Sequence, residues 1–339
     1  MKSMYCAALA LTLGAISTQL QAQQNPFSIA IHGGAGTISK AKLTPAQIAQ
    51  YEAKLAEAVN AGYAVLEQGG SSLDAVSKAV TILEASPLFN AGVGAVYTYD
   101  GAHELDAAIM DGKTLNAGAV ASVRHVKSPI QLARLVMEES PHVMLAGAGV
   151  EEFAIAQQLP LVTNDHFSTD SRYQSLLKAK EKLRKNQKHS HQAAVEALPL
   201  DYKYGTVGAV ALDKSGNLAA ATSTGGMTAK RYGRVGDAPI IGAGTYAENG
   251  VCAISATGHG EYFIRYQVAS DICARAKYQQ QPLAKTADVV INQVLVEAGG
   301  SGGVIAVDAQ GNVSMPFNSE GMYRASRKSG EAAVVAIWK

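Results

Sequence analysis

Nothing in this 339-residue chain is both long and uninterruptedly apolar. The apolar run near its start, Ala7 to Ile16, is too short to span a bilayer, which takes about 20 residues. An excess of one charge is missing as well: 29 Lys and Arg stand against 28 Asp and Glu, a net +1. That balance argues against nucleic acid or an anionic membrane as the main partner. Cysteine is scarce, three residues with no C-x-x-C pair and no Cys/His cluster, so no metal–thiolate site is expected. What is present is 47% hydrophobic residues with 17% charged, a globular composition long enough for one large domain or two ordinary ones. The 33 glycines fall in short clusters (HGGAG, NAGVG, STGG, TGHG, GGSGG), which points to tight turns and close backbone approach.

Residues 1–22 read as a signal peptide. Lys2 supplies the positive start, Ala7 to Ile16 the apolar core, and Leu20-Gln21-Ala22 a cleavage site before Gln23. A buried N-terminal helix is the alternative. Export to the periplasm or beyond is expected, and removal of the segment takes Cys6 with it. Cys252 and Cys273 remain, and one disulfide is open to them.

The most informative stretch is 201–226, DYKYGTVGAVALDKSGNLAAATSTGG. Thr206 to Leu212 has the character of a buried strand and Asn217 to Thr224 that of its partner, with Asp213 to Gly216 turning between them. If Asp213 pairs with Asn217, Thr206 faces Thr224; a four-residue loop would shift the pairing by one. Two opposed threonines are also an ordinary cross-strand pair. The junction is the distinguishing feature. Cleavage of the Gly205–Thr206 bond would leave Thr206 with a free amine, of reference pKa about 8, to serve as base for its own hydroxyl.

Along the chain, Phe27 to Ile31 reads as a strand running into a tight turn at His32-Gly33-Gly34-Ala35-Gly36. That glycine cluster lacks the residues of a phosphate-binding loop. Pro45 to Gln68 has helical spacing, and Ser72 is placed to cap a second helix. Leu105 to Met110 and Ala117 to Val123 read as strands, with Glu104 and Asp106 on one face as surface charge. Ser128 to Glu138, Gly149 to Gln157 and Ser171 to Leu183 read as helices. The basic run Lys178 to Gln192 has no interleaved aromatics for nucleic acid, and His189 with His191 is a weak metal pair. Val251 to Ala256 is a strand leading through Thr257-Gly258-His259-Gly260-Glu261 into a helix from Tyr262 to Tyr278. Near the end, V-I-A-V-D-A-Q-G-N-V repeats the V-A-L-D-K-S-G-N-L pattern, so a second hairpin of the same build and a layered antiparallel architecture are expected.

Two short segments carry functional alternatives beside ordinary ones, while Asn90 in N-A-G-V-G reads as a turn residue. Arg234 and Asp237 in G-R-V-G-D form either a local ion pair or a clamp, guanidinium on carboxylate and carboxylate on ammonium, suited to an α-amino acid head group. Thr257 and Gly258 sit either in a plain strand-to-helix turn or in an oxyanion hole.

Taken in order, GTVGAVALDKSGNLAAATSTGG, HGGAG, NAGVG, GRVGD, TGHGE and the closing PFN…GMYR resemble the plant-type (class 3) asparaginases and isoaspartyl peptidases, which are N-terminal-nucleophile hydrolases. The resemblance runs from about Phe27 to Arg324. It implies an α+β fold, a four-layer αββα sandwich with two antiparallel sheets between helical layers. It also implies cleavage at Gly205–Thr206 into an α chain (23–205) and a β chain (206–339), assembled as (αβ)₂. Thr206 would be the nucleophile, with Thr224 and Asn90 orienting it and Thr257 with Gly258 as oxyanion donors. Arg234, Val235, Gly236, Asp237, Thr257, Gly258, His259 and Gly260 would line the substrate site for β-aspartyl dipeptides or L-asparagine. His259 stands where relatives often carry Thr. No cofactor for catalysis is implied, but a structural sodium or potassium ion is, held by the carbonyls of Leu83, Glu84, Ser86, Phe89, Ala91 and Val93. A glycosylasparaginase-like hydrolase and a non-enzymatic amino-acid-binding protein are the alternatives.

Overall fold

The computed structural model describes residues 25–185 and 205–339. The leader at 1–22, His189 and His191 lie outside the described residues. The strands are β1 (Ser28–Gly36), β2 (Leu105–Asp111), β3 (Ala117–Val123), β4 (Met144–Ala146), β5 (Val207–Leu212) and β6 (Leu218–Thr224). They continue with β7 (Thr245–Glu248), β8 (Cys252–Gly258), β9 (Gly302–Asp308), β10 (Val313–Ser314), β11 (Gly321–Lys328) and β12 (Val334–Ala336). Eight form one sheet in the order β12-β11-β1-β5-β6-β2-β3-β4, and four form a second in the order β10-β9-β8-β7.

Helices α1 (Pro45–Glu67), α2 (Ser72–Glu84) and α3 (Pro129–Glu139) cover the outer face of the large sheet; α4 (Ala148–Ala156) packs by β3 and β4. Farther along come α5 (Asp170–Lys185), α6 (Gly260–Arg265), α7 (Val268–Tyr278) and α8 (Leu283–Val289), which continues through a π turn into α9 (Leu295–Ala298). Helices α7 and α8 lie on the outer face of the small sheet, whose inner face meets β1, β5, β6 and β2. The result is the αββα sandwich that the resemblance implied.

Strand β5 shows why the central strands do not alternate. Val207, Ala209 and Ala211 face the helices while Val210 and Leu212 face the second sheet, and all are buried. A strand covered on both sides needs apolar residues throughout. The disulfide Cys252–Cys273 ties β8 to α7, with Cα atoms 5.9 Å apart.

The hairpin between β5 and β6 has the expected three-residue loop: Asp213 N donates to Asn217 O, and Gly216 takes φ +79°. Asp213 is also a buried junction. Its Oδ1 accepts from Ser215 N (2.9 Å) and Asn217 N (3.0 Å), and its Oδ2 from Ser72 N (3.0 Å) at the start of α2. The second hairpin repeats this loop, with Asp308 Oδ1 accepting from Gln310 N and Asn312 N.

Five expectations need correction. The HGGAG segment is not a turn after β1 but part of it, accommodated by a bulge between His32 and Gly34. The cap of α2 is Ser71, whose Oγ accepts from Asp74 N at 3.1 Å. Tyr262 to Tyr278 is two helices, because Gln267 adopts the left-handed conformation (φ +48°) and stops α6. The large sheet is not wholly antiparallel: α3 carries the chain back over the sheet, so β4 joins β3 in parallel. Asp106 is not surface charge. It is fully buried in a central strand, where a bulge between Leu105 and Ala107 turns it inward so that Oδ1 accepts from Ser122 N at 2.9 Å.

Because one buried carboxylate satisfies three backbone donors, of which that of Ser72 is itself buried, Asp213→Ala is expected to lower unfolding free energy by about 3 kcal/mol. Urea unfolding tests this; a loss under about 0.5 kcal/mol, the range of ordinary surface changes, would show that the junction contributes little.

Candidate active site

The hairpin register pairs Val207 with Ser223, which sets Thr206 against Thr224 at the open end of the strands. Their hydroxyl oxygens are 3.1 Å apart, and both residues are buried. The Gly205 carbonyl is the focus of the polar groups here. It accepts from Asn90 Nδ2 (2.9 Å) and Thr224 Oγ1 (2.9 Å), and Thr206 Oγ1 stands 2.8 Å away. The Asn90 amide is held the right way round, since Nδ2 also donates to Gly226 O (2.7 Å) while Oδ1 accepts from Val96 N (2.9 Å). Gly205 has φ +136°, and a Cβ there would come within 2.8 Å of Asn90 Cβ. Only glycine fits before the threonine.

A chain of buried side chains supports Thr206 from below. His32 Nδ1 is 3.1 Å from Thr206 O, a carbonyl that can only accept, so Nδ1 carries the proton and Nε2 accepts from Ser255 Oγ at 3.0 Å. Ser255 in turn accepts from Thr222 Oγ1 (2.7 Å), and Thr222 accepts from Thr245 Oγ1 (2.7 Å). Thr245 Oγ1 lies 3.1 Å from the carbonyl of Ala238, next to Asp237. Burial holds His32 down to about 3, so the ring is neutral and the direction of the chain does not change near pH 7. Gly208 makes room for it: a Cβ there would lie 2.0 Å from Ser255 Oγ.

Thr257 enters through β1, because its Oγ1 accepts from Ala35 N at 3.2 Å. One residue earlier, a Cβ on Gly34 would be 3.3 Å from Thr206 N. The glycines of HGGAG thus let β1 run between Thr206 and Thr257. Gly258 ends β8, and His259, with Nε2 3.3 Å from Glu261 Oε2, leads into α6.

Arg234 and Asp237 flank Gly260, whose Cβ position is 2.9 Å from both Arg234 Nη2 and Asp237 Oδ1. Val235 and Gly236 are the irregular link between them. Glu261 holds Arg234 through Nε (3.0 Å) and Nη2 (3.1 Å). Asp237 Oδ2 is buried without a hydrogen-bond partner among the described residues, and burial pushes its carboxyl up to about 7 against the pull of Arg234. An ammonium group placed there would restore its charge.

Three participants were not singled out from the sequence. Glu261 was seen only as the end of T-G-H-G-E. His32 stood before two glycines with nothing to signal its partners. Asp106 was taken for surface charge, yet it pairs across the sheet with Thr224 and lies 3.8 Å from Lys230 Nζ, itself buried and donating to Glu104 O.

The loop from Leu83 to Val93 returns on itself, with Val93 N donating to Glu84 O at 2.7 Å. A Cβ on Gly92 would be 2.3 Å from Glu84 O, and one on Gly94 would be 2.6 Å from Pro87 O and 2.8 Å from Phe89 O. Carbonyl oxygens crowd the inside of this loop, a donor set that fits a hard monovalent cation.

The family described as Asparaginase matches residues 25–337. The chain is 54% identical to an isoaspartyl peptidase of Salmonella typhimurium over 317 residues, 93% of this chain and 99% of that protein. It is 52% identical to an isoaspartyl peptidase of Escherichia coli, covering 92% and 96% of the two chains. A human isoaspartyl peptidase/L-asparaginase is 39% identical, covering 91% and 94%. With its paired threonines, its two-sheet sandwich and a match along nearly all of its described length, this chain belongs to the asparaginase family of hydrolases.

Proposed function

We propose that the chain cuts itself between Gly205 and Thr206, and that the new N-terminal Thr206 hydrolyses β-aspartyl (isoaspartyl) dipeptides and L-asparagine to release L-aspartate. The observation that carries this reading is the Gly205 carbonyl, polarised by Asn90 and Thr224 with the Thr206 hydroxyl 2.8 Å from its oxygen. In the first step the Thr206 Oγ–C bond forms, the Gly205–Thr206 C–N bond breaks and the nitrogen takes the hydroxyl proton. Water then splits the ester, leaving a Gly205 carboxylate, the Thr206 hydroxyl and a free amine. In turnover that amine takes the hydroxyl proton as Oγ attacks the substrate's side-chain carbonyl. Asn90 and Thr224 orient the nucleophile, and Thr257 with Gly258 stabilises the oxyanion. The leaving amine takes the proton back, and water releases aspartate from Thr206.

Arg234 and Asp237 hold the aspartyl α-carboxylate and α-amino groups, with Glu261 setting the guanidinium. A sodium or potassium ion on the carbonyls of Leu83, Glu84, Ser86, Phe89, Ala91 and Val93 would stiffen the loop that carries Asn90. The relatives' names support the substrate class, and the disulfide suits an oxidising compartment and so export by way of residues 1–22. Assembly as (αβ)₂ completes the reading.

Thr206→Ala is expected to give a single uncut band of full mature length with no asparaginase or β-aspartyl-peptidase activity. A cut or active variant refutes the scheme. Asn90→Ala, which removes one donor from the Gly205 carbonyl, should slow self-cleavage roughly 100-fold or more, read as band conversion over time. Asp237 must be ionised to take an ammonium group, so its raised pKa means binding weakens as pH falls through about 7. The kcat/KM for L-asparagine should approach a tenfold fall per unit below that point. A flat profile from pH 7 to 5.5 would remove Asp237 from the clamp.

A further inference from the structure

A cavity of about 250 Å³ opens on the Gly205 side of Thr206. Gly205 and Asn90 line it, whereas Arg234, Asp237 and Glu261 are not among the residues that do. Its wall is apolar and aromatic: Leu43, Leu88, Phe89 and Tyr51, the last stacked on Tyr323 with ring centroids 4.2 Å apart. Two polar side chains are set into this wall with spare hydrogen-bonding capacity. The partly buried Arg172 is anchored by Nε, which donates to Gly94 O at 2.8 Å, and no carboxylate among the described residues pairs with it or lines the cavity. Thr37 Oγ1 is buried with no hydrogen-bond partner among the described residues. Burial holds the Arg172 guanidinium below its ordinary range against an opposing pull from Tyr51 and Tyr323, a cost that an anion beside it would offset.

The charges of the proposed substrates give this site a use. A β-aspartyl dipeptide carries two carboxylates and one ammonium, and Arg234 with Asp237 accounts for one of each. The second carboxylate belongs to the residue beyond the scissile isopeptide bond, and L-asparagine lacks it. Once the bond before Thr206 is broken, the cavity adjoins the nucleophile where Gly205 had been. We propose that the cavity is the subsite for this leaving residue, with the Arg172 guanidinium and Thr37 hydroxyl taking its α-carboxylate and the ring-lined wall taking an apolar side chain. This rests on the isoaspartyl-peptidase reading. It makes Arg172 a determinant of preference between dipeptide and asparagine.

The test compares β-aspartyl-leucine, β-aspartyl-leucinamide and L-asparagine as substrates of the processed protein. In the wild type, kcat/KM for the amide should be roughly tenfold or more below that for the acid, mainly through KM, as expected for loss of a charge-assisted contact. In Arg172→Gln the acid and amide should become nearly equal, and the ratio of β-aspartyl-leucine to L-asparagine turnover should fall by a similar factor. Equal use of acid and amide by the wild type overturns the subsite, as does an unchanged ratio in a processed Arg172→Gln protein. If the variant does not fold or process, the wild-type comparison decides. Failure of the wild type to hydrolyse any of the three is a different result and refutes the functional reading itself.

Discussion

The carbonyl of Gly205, held between Asn90 and Thr224, is the contact on which the site depends. A peptide oxygen with two fixed donors has lost the freedom to rotate away from the hydroxyl beside it, and its carbon is more electrophilic than an ordinary amide carbon. The donors are rigid because they come from different layers of constraint. Thr224 is fixed by hairpin register, and Asn90 by a loop whose own backbone turns it toward Val96 and Gly226. The Thr224 donor would be lost if the three-residue turn at Lys214 to Gly216 were one residue longer, because the pairing would slip and Thr224 would no longer face Thr206.

The space between the two sheets does more than fill with apolar side chains. A single file of hydrogen bonds crosses it, from Thr245 through Thr222 and Ser255 to His32 and the Thr206 carbonyl. Such a file is stable in a low-dielectric interior only when each member is satisfied. The neutral state of His32 meets that condition, and Gly208 leaves the space in which the file runs. One end lies at Thr206 and the other at Thr245, whose hydroxyl oxygen is 3.1 Å from the carbonyl of Ala238, beside Asp237.

Charge is distributed around this centre in an ordered way. Asp106 and Lys230 are buried behind the strand that carries Thr224, and Asp237 lies in the loop after Arg234 with one oxygen that has no hydrogen-bond partner among the described residues. Glu261 occupies two nitrogens of Arg234, which fixes the direction in which the remaining face of the guanidinium can meet a carboxylate. Arg172 stands apart from all of these, in a cavity whose wall includes the rings of Tyr51, Phe89 and Tyr323. Burial disfavours the charged form of Asp106, Asp237 and Arg172 alike; what differs is the opposite charge nearby, Lys230 for the first, Arg234 for the second and no carboxylate among the described residues for the third.

Much of this was legible in the chain itself. The Asp213 turn, the β5 and β6 strands, α1, and the spacing that brings Thr206 opposite Thr224 follow from local rules: turn chemistry, β-branched runs and helical periodicity. The motif order carried the family and the sandwich, because motifs preserve the residues whose side chains meet. Alternation does not hold at Asp106, where a bulge interrupts the pairing of β2 with β3; HGGAG stays extended because β11 pairs with β1 as far as Gly36, while β5 reaches only His32. Where His32, Glu261, Lys230 and Arg172 would find or lack partners was decided by tertiary structure alone. Those partners lie tens to hundreds of positions away, and hydrogen bonding and desolvation act through distances in space that no local pattern records.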